Sequence, residues 1–142
     1  MPRVRIDLPE HFLFSTEVQI YSGHINDAGH LDNAQLLALA SEARQRFFKS
    51  LGYTQLDVEG LGTVVTDTAV QYRSEAFHGE TLVFEMTADD FNKYGCDLVY
   101  LAREMESGRE VARGKIGIVF FDYAARKIAP TPERFRARLS TA

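Results

Sequence analysis

The chain has 142 residues and a formal net charge of −4, and a chain of this length buries roughly 68–70% of its unfolded surface, which predicts a single domain over residues 1–142. The acidic balance gives no bulk field for nucleic acid, and Cys96, the one cysteine, excludes an internal disulfide. No apolar run approaches the roughly 18 residues that span a bilayer, and residues 1–12 lack the apolar centre of a secretory signal, so we expect a cytoplasmic protein without nucleic-acid or membrane partners.

A strand and a long helix are predicted in the first third of the chain. Residues 17–21 (EVQIY) alternate with period two, as in a short strand. Residues 33–51 have the apolar spacing of one helix face, and Gly52 follows where a helix C-terminal glycine belongs. Further apolar residues widen this stripe, which predicts a helix half wrapped by a sheet. The apolar positions are Leu36, Leu37, Leu39, Ala40, Ala43, Phe47, Phe48 and Leu51.

Four long strands are predicted after residue 62, where the period changes to two. Short turn segments rich in Gly, Asn, Ser and His separate them, and connections this short favour antiparallel neighbours. A helical turn is predicted after Pro132. The predicted strands cover residues 63–73, 81–91, 96–105 and 111–123.

The last predicted strand suggests a partner surface. It is apolar on both faces of the pleat, at Ile116, Ile118, Val119, Phe120 and Phe121. One helix covers one face of a five-stranded sheet, and a large exposed apolar face marks an interaction site. We therefore expect dimerisation through the sheet.

A polar loop, residues 23–37 (GHINDAGHLDNAQLL), precedes the helix and has two interpretations. Asp32 or Asn33 is expected to cap the helix N-terminus, and for Asn33 the cap is favoured over a catalytic role. Alternatively, the loop is an active site, because free N–H groups at a helix start stabilise developing negative charge.

Several motifs resemble the hotdog-fold acyl-CoA thioesterases of the 4-hydroxybenzoyl-CoA thioesterase type. Residues 29–33 (GHLDN) resemble the Gly-His-x-x-Asn loop of that family, and residues 41–44 (SEAR) resemble its Glu-Ala-Arg helix motif. Leu51-Gly52, residues 71–73 (QYR) and residues 77–80 (FHGE) follow in the family's order. The resemblance runs from about residue 17 to residue 123.

The resemblance implies an α+β hotdog fold in which one long central helix is wrapped by a curved antiparallel five-stranded sheet. It implies an acyl-CoA substrate, no cofactor or metal, and active sites between the subunits of a homodimer or of a dimer of two such dimers. One departure concerns the mechanism. Many members place a catalytic Asp three residues before the loop glycine, where this chain has Asn26 followed by Asp27.

The candidate catalytic groups each have a structural alternative. Backbone N–H groups of Gly29, His30 or Leu31 would polarise the thioester carbonyl. Asp27 would act as the base or would be a turn residue bonded to its own backbone. His30 would assist or would pin the loop, and the Asn26 amide would orient water or the thioester oxygen.

Two further carboxylates are candidates. Asp67 falls mid-strand on a face shared with Val65 and Ala69, expected to lie near the helix, and would serve the site or bond a neighbouring Thr. Glu42 would form a salt bridge or face the partner's substrate channel.

For the nucleotide of CoA, Arg73, Lys93 and Arg113 are candidate phosphate partners, each alternatively a solvated side chain, and Gly95 would admit a close backbone approach. Cys96 lacks a partner for thiol or metal chemistry.

Three functions follow. The first is hydrolysis of a small or medium acyl-CoA by water activated by a carboxylate. The second is enoyl-CoA hydration, since residues 23–32 resemble a hydratase loop, although His24 replaces its Asp and one extra residue separates Asn26 from His30. The third is a non-catalytic acyl-CoA-binding module, which the Asn26 departure favours.

Overall fold

The computed structural model describes residues 3–140. The helices and strands in this range are β1 Phe14–Gln19, α1 Asn33–Ser50, β2 Gly62–Tyr72, β3 Thr81–Asn92, β4 Gly95–Glu104, β5 Glu110–Asp122, β6 Lys127–Ala129 and α2 Glu133–Leu139. Residues 1–2 and 141–142 of the predicted domain lie outside the described residues. Neither helix between residues 3 and 140 combines the length and hydropathy needed to cross a membrane.

The strands form one antiparallel sheet in the order β1-β3-β4-β5-β2, and β6 pairs with the end of β5. The predicted α+β hotdog fold is confirmed, with a sheet of six strands instead of five. Only three residues, KIA, form β6, which is too few for periodicity to reveal. The first strand begins at Phe14 and not at residue 17.

The core lies between α1 and the inner face of the sheet. The helix buries Leu36 and Phe47 to 1% exposure or less, against Leu82, Phe84 and Met86 of β3, which are fully buried. Side chains three and four apart on the helix meet alternate side chains on the strand, as the two periods require. Burying one such side chain contributes about 1.5–3 kcal/mol before entropy is counted, so this layer holds the helix in place.

Both ends of α1 are capped. The Asp32 carboxylate accepts hydrogen bonds from the N–H groups of Ala34 (3.0 Å) and Gln35 (3.3 Å). Of the two residues expected to cap the helix, Asp32 is confirmed, and the expectation for Asn33 is wrong because Asn33 is the first residue inside the helix. At the other end Gly52 has a φ of 85° and donates its N–H to a helix carbonyl, so the predicted C-terminal glycine is confirmed.

Helix α2 closes the core beside the C-terminal end of α1. Its Phe135 is fully buried and forms aromatic contacts at centroid distances of 5.0–6.2 Å with rings from four other segments. Three of these pairs are edge-on, and such pairs stabilise the fold beyond the burial of their area. The partner rings are Phe48, Tyr53, Phe91 and Phe120.

The outer face of the sheet differs from the sequence prediction. Ion pairs join Arg103 to Glu85 at 3.1 Å and Lys115 to Asp97 at 3.2 Å across this face. Opposite residues of antiparallel strands share a face, so Ile116, Ile118 and Phe120 of β5 point inward. Of the five apolar residues named in β5, only Val119 and Phe121 lie on the outer face. The expectation of a large exposed apolar sheet face is therefore wrong.

Candidate active site

The loop between β1 and α1 folds back on itself through its own hydrogen bonds. The N–H of Asn26 donates to the His30 carbonyl and the N–H of Gly29 donates to the Asn26 carbonyl, both at 3.0 Å. Gly29 has a φ of 87°, which a residue with a Cβ adopts only under strain. The Asn26 side-chain oxygen accepts from the Ala28 N–H at 3.0 Å. This leaves the amide nitrogen of the Asn26 side chain as its free donor.

Three contacts hold this loop in place. Leu31 donates its N–H to the Ala76 carbonyl at 2.7 Å, and Asp32 donates its N–H to the His24 carbonyl at 2.9 Å. The His24 ring accepts from the Tyr21 N–H at 2.9 Å. The second half of the loop is therefore attached both to the short 3-10 turn Ser22–His24 in its first half and to the segment that follows β2.

A cavity of about 430 Å³ opens between this loop, the first turn of α1 and the end of β2. We call it the active-site cavity. Its volume falls within the range of small-molecule sites. It is lined by Asn26, His30, Leu31, Asn33, Leu36, Val111 and residues 72–76.

At the wall of this cavity next to the helix start, the backbone N–H groups of His30 and Asn33 have no acceptor among residues 3–140. The Gly29 and Leu31 N–H groups, both predicted oxyanion donors, are already bonded to carbonyl groups. The N–H groups of His30 and Asn33 donate to no such carbonyl group, and both residues line the cavity. Because the Asp32 carboxylate occupies the next two N–H groups of the helix, Asn33 supplies the helix-start donor that remains.

A histidine and a carboxylate face each other across the cavity. The Nε2 atom of His30 lies 3.7 Å from a carboxylate oxygen of Glu75, and the Nδ1 atom lies 3.3 Å from the Leu31 carbonyl. The Leu31 carbonyl therefore orients the ring on one side, and Glu75 lies within ion-pair distance on the other. A His with a carboxylate neighbour beside a substrate-sized cavity is an arrangement suited to general acid–base chemistry.

Tyr72 joins two walls of the cavity. Its hydroxyl donates to the Asn33 carbonyl at 2.8 Å, which ties the end of β2 to the first turn of α1. Burial, followed by the negative charge of Asp32, raises the pKa of the Tyr72 phenol. The group therefore stays protonated and keeps its role as a donor.

Comparison with known proteins identifies the family. Residues 21–139 match the family described as the thioesterase-like superfamily. The chain belongs to this superfamily. No curated protein matches the sequence at a significant level.

Solved structures of thioesterases have the same fold as this thioesterase-like chain. A 1,4-dihydroxy-2-naphthoyl-CoA thioesterase from Synechocystis is 21% identical with a TM-score of 0.79, over 89% of this chain and 94% of that one. A putative thioesterase from Pseudomonas aeruginosa is 23% identical with a TM-score of 0.82, over 92% and 100%. A Thermus thermophilus thioesterase, solved with coenzyme A and Zn, is 20% identical with a TM-score of 0.77, over 92% and 100%.

The family match supports thioester hydrolysis as the activity of this chain. Residues 3–140 contain no group of three or more His, Cys, Asp or Glu side chains placed to hold a metal ion. Burial raises the pKa of the Cys96 thiol to about 12, so this thioesterase-like chain does not offer Cys96 as a thiolate nucleophile.

The cavity brings together some of the predicted site residues. Asn26, His30, Leu31 and Arg73 line it, and Gly29 shapes the loop beside it. Asp27 is exposed and does not line it.

Glu42 lies on the side of α1 that faces β1. Its carboxylate pairs with Arg46 at 2.7 Å, and Arg46 also donates to the Thr16 hydroxyl and to the Glu17 carbonyl. The structural alternative for Glu42, a salt bridge, is therefore present. It helps to hold the helix against the first strand.

Asp67 lies on the outer face of the sheet. A bulge between Val65 and Asp67 shifts the register, so that Asp67 lies opposite Gly117. Its carboxylate fills the space above that glycine, next to Asp97. The expectation that Asp67 shares a face with Val65 and lies near the helix is wrong, because a bulge reverses the alternation of side chains.

Lys93 and Gly95 lie at the opposite end of the sheet from the cavity. They follow β3, whose 12 residues span roughly 37 Å. A Cβ at Gly95 would overlap the Ile118 carbonyl oxygen at 1.9 Å, so this glycine allows close approach of β5. Arg113, the other predicted phosphate partner, pairs with Glu110 at 2.6 Å.

Sequence reasoning missed Glu75. The residue stands between two motifs that carry the family resemblance, residues 71–73 and 77–80, in a segment without periodicity. Two signals pointed to it: a carboxylate directly after a strand end, and a neighbouring motif shared with enzymes. The hydrogen bond from the Leu31 N–H to the Ala76 carbonyl brings the two segments together and places Glu75 next to His30. The sequence does not show this contact.

Proposed function

We propose that this thioesterase-like chain hydrolyses small or medium acyl-CoA thioesters to the free acid and CoA, as an enzyme of the 4-hydroxybenzoyl-CoA thioesterase type. One observation carries the proposal. The active-site cavity has the unpaired N–H groups of His30 and Asn33 on one wall and the Glu75 carboxylate near His30 on another.

The thioester carbonyl would accept hydrogen bonds from these two N–H groups. Negative charge develops on this oxygen when the carbonyl carbon is attacked, and donors that are fixed in advance stabilise it. The positive end of the α1 dipole adds to this effect. The free amide nitrogen of Asn26 would donate to the attacking water or to the same oxygen.

Glu75 would provide the carboxylate that the Asn26 departure removes from its usual place. In this proposal the Glu75–His30 pair takes a proton from water as the water oxygen attacks the carbonyl carbon. The tetrahedral intermediate then collapses, the carbon–sulfur bond breaks, and the proton passes to the CoA sulfur. Asp27, Asp67 and Glu42, the carboxylates first considered for this role, lie outside the cavity lining.

We further propose a homodimer formed along the free edge of β2. This strand ends the sheet, with β5 on one side and no neighbour among residues 3–140 on the other, and an uncovered edge is a template for pairing. Val65 and Tyr72 on this strand are 41% and 46% exposed. Two such dimers would form the tetramer.

A two-fold axis across β2 would also give Lys93 and Gly95 a place in the site. Antiparallel pairing sets the start of one β2 beside the end of the other. Lys93 and Gly95 of a second copy then lie at the end of the joint sheet that holds the active-site cavity of the first. In this arrangement Arg73 of one copy and Lys93 of the other bind the CoA phosphates.

The test is release of free thiol from a panel of acyl-CoA esters by the purified protein. We expect turnover, and we expect Glu75→Gln to lower kcat by about 10²- to 10⁴-fold, the contribution of a positioned general base. Glu106→Gln, which changes an exposed carboxylate outside the cavity, serves as the control. Asp27→Ala, Asp67→Ala and Glu42→Ala are expected to retain turnover.

Three outcomes would contradict the proposal. Consumption of crotonyl-CoA without thiol release would indicate the hydratase alternative. Binding of acyl-CoA esters without turnover of any would indicate a binding module. A protein that remains a monomer by light scattering during turnover would exclude the composite site.

A further inference from the structure

A buried arginine lies without a counter-charge in the middle of α1. Arg44 is 6% exposed. Its guanidinium makes one hydrogen bond, from Nη2 to the Ser41 hydroxyl oxygen at 3.2 Å, while Nε is buried and has no partner. No carboxylate among residues 3–140 lies within ion-pair distance of it. An isolated buried charge is costly, so its retention calls for a ligand.

A second unpaired donor lies close by on β4. Tyr100 is fully buried, and its hydroxyl has no hydrogen-bond partner among residues 3–140. A Cβ on Gly114 of β5 would lie 2.4 Å from this hydroxyl oxygen. The absence of a side chain at Gly114 therefore leaves space for the Tyr100 ring, although the Tyr100 hydroxyl makes no hydrogen bond among residues 3–140.

Both side chains line one cavity of about 120 Å³ in the seam between α1 and β2. We call it the seam cavity. Its other walls include Leu37, Ser41, Val65 and Thr68, and the Thr68 hydroxyl already donates to the Lys115 carbonyl. The volume equals about four water molecules at roughly 30 Å³ each. It accommodates one carboxylate with its nearest methylene groups.

The seam cavity continues the line of the active-site cavity along α1. Leu36 lines the active-site cavity and Leu37 lines the seam cavity. Since Arg44 bonds to Ser41, its guanidinium lies over Ser41, and eight residues of helix from Asn33 to Ser41 span about 12 Å. An extended acyl chain of medium length, held by its carbonyl at the first turn, covers this distance.

We propose that the seam cavity binds a carboxylate at the far end of the acyl group, so that the enzyme prefers acyl-CoA substrates whose chain ends in an acidic group. Arg44 donates to this carboxylate and the Tyr100 hydroxyl gives a further hydrogen bond. A guanidinium that faces a carboxylate in a dry site forms strong, directional hydrogen bonds. This inference rests on the proposed function, because it assumes that the thioester lies at the start of α1.

The test compares suberoyl-CoA with octanoyl-CoA, which have the same chain length and differ in the terminal carboxylate. For the wild type we expect the larger kcat/KM with suberoyl-CoA. Arg44→Met should lower kcat/KM for suberoyl-CoA about 10- to 100-fold, the loss of one charge-assisted hydrogen-bonding partner, and should leave octanoyl-CoA unchanged or improved. Tyr100→Phe should act in the same direction with a smaller effect.

Gln45→Met, an exposed neighbour on the same helix, is the control, and Arg44→Lys should recover part of the preference if Arg44→Met folds poorly. Equal kcat/KM values for the two esters in the wild type would overturn the inference while the proposed function stands. The inference would also be overturned if the Arg44→Met protein dissociated into monomers and still preferred suberoyl-CoA. The carboxylate that Arg44 binds would then belong to a second copy of the chain and not to the substrate.

Thermal unfolding with free suberate separates the two proposals. We expect suberate to raise the melting temperature of the wild type and not that of Arg44→Met. If no acyl-CoA releases thiol but suberate still has this effect, the proposed function fails and the carboxylate site remains. If suberate does not change the wild-type melting temperature, the carboxylate site is excluded.

Discussion

The two halves of α1 differ in whether their polar groups have partners within the chain. At the first turn, the Asp32 carboxylate satisfies two N–H groups of the helix, and the Tyr72 hydroxyl donates to the Asn33 carbonyl. Eleven residues further on, Arg44 is buried with one neutral partner and no counter-charge. The first turn is a polar network that is satisfied almost completely, whereas the middle of the helix carries a charge that the single chain does not neutralise.

This difference indicates which groups the fold uses and which it leaves for a ligand. A buried polar group without a partner costs free energy, so a chain with two of them in one seam is expected to use them for binding. Around the first turn the unpaired donors are the N–H groups of His30 and Asn33. In the seam they are the Arg44 guanidinium and the Tyr100 hydroxyl. In the two proposals above, these two sets bind the two ends of one extended acyl group.

The largest change in stability is expected from Arg44→Met. Removal of an uncompensated buried charge and its replacement by an apolar chain of similar length should raise the free energy of unfolding by about 2 kcal/mol. Burial already lowers the pKa of the Arg44 guanidinium, which reflects the same cost. Urea denaturation of the ligand-free protein measures the difference, with Gln45→Met as the reference.

A loss of stability in Arg44→Met would contradict this expectation. It would mean that the guanidinium has a counter-charge in the assembled protein. The denaturation is therefore repeated over a range of protein concentrations, since a counter-charge from a second copy makes the midpoint depend on concentration.

A smaller change in the opposite direction is expected from Asp32→Ala. Loss of an N-cap destabilises a protein by about 1 kcal/mol, here because the N–H groups of Ala34 and Gln35 lose their acceptor. Asp32→Asn, which keeps the acceptor oxygen, should retain most of the stability. Denaturation midpoints for the three proteins give the comparison. Equal stability of Asp32→Ala and the wild type would show that water replaces the cap at no cost.

Periodicity predicted most of the fold. The stripe from Leu36 to Phe47 and the alternation in the four long strands each reflect one buried face, and burial is what produces a period. The exceptions are local. The bulge at Val65 and Asp67 adds a residue without a signal in the sequence, and three residues of β6 are too few to show alternation.

The site was less predictable, because it depends on which backbone groups remain unpaired. The sequence does not distinguish the backbone N–H groups of Gly29, His30 and Leu31 as candidate oxyanion donors. Only the bonds from Gly29 to Asn26 and from Leu31 to Ala76 distinguish His30 from the other two. Likewise, Arg44 stands four residues from both Ala40 and Phe48 of the apolar stripe, but the sequence does not show that it is buried there without a counter-charge while Arg46 reaches a strand.

The smallest effect is expected from Tyr72→Phe. The Tyr72 hydroxyl is partly exposed, so loss of its hydrogen bond to Asn33 should destabilise the protein by about 0.5 kcal/mol at neutral pH. The folded protein raises the pKa of this phenol above its ordinary value of 10.0. The contribution is therefore complete below pH 10 and is lost as the pH rises through the folded value. Melting temperatures from pH 8 to pH 11 should bring the wild type toward the Tyr72→Phe variant at the alkaline end. A difference between the two proteins that grows with pH would mean that the phenol is stabilised as its anion, and the Asn33 carbonyl would then not be its partner.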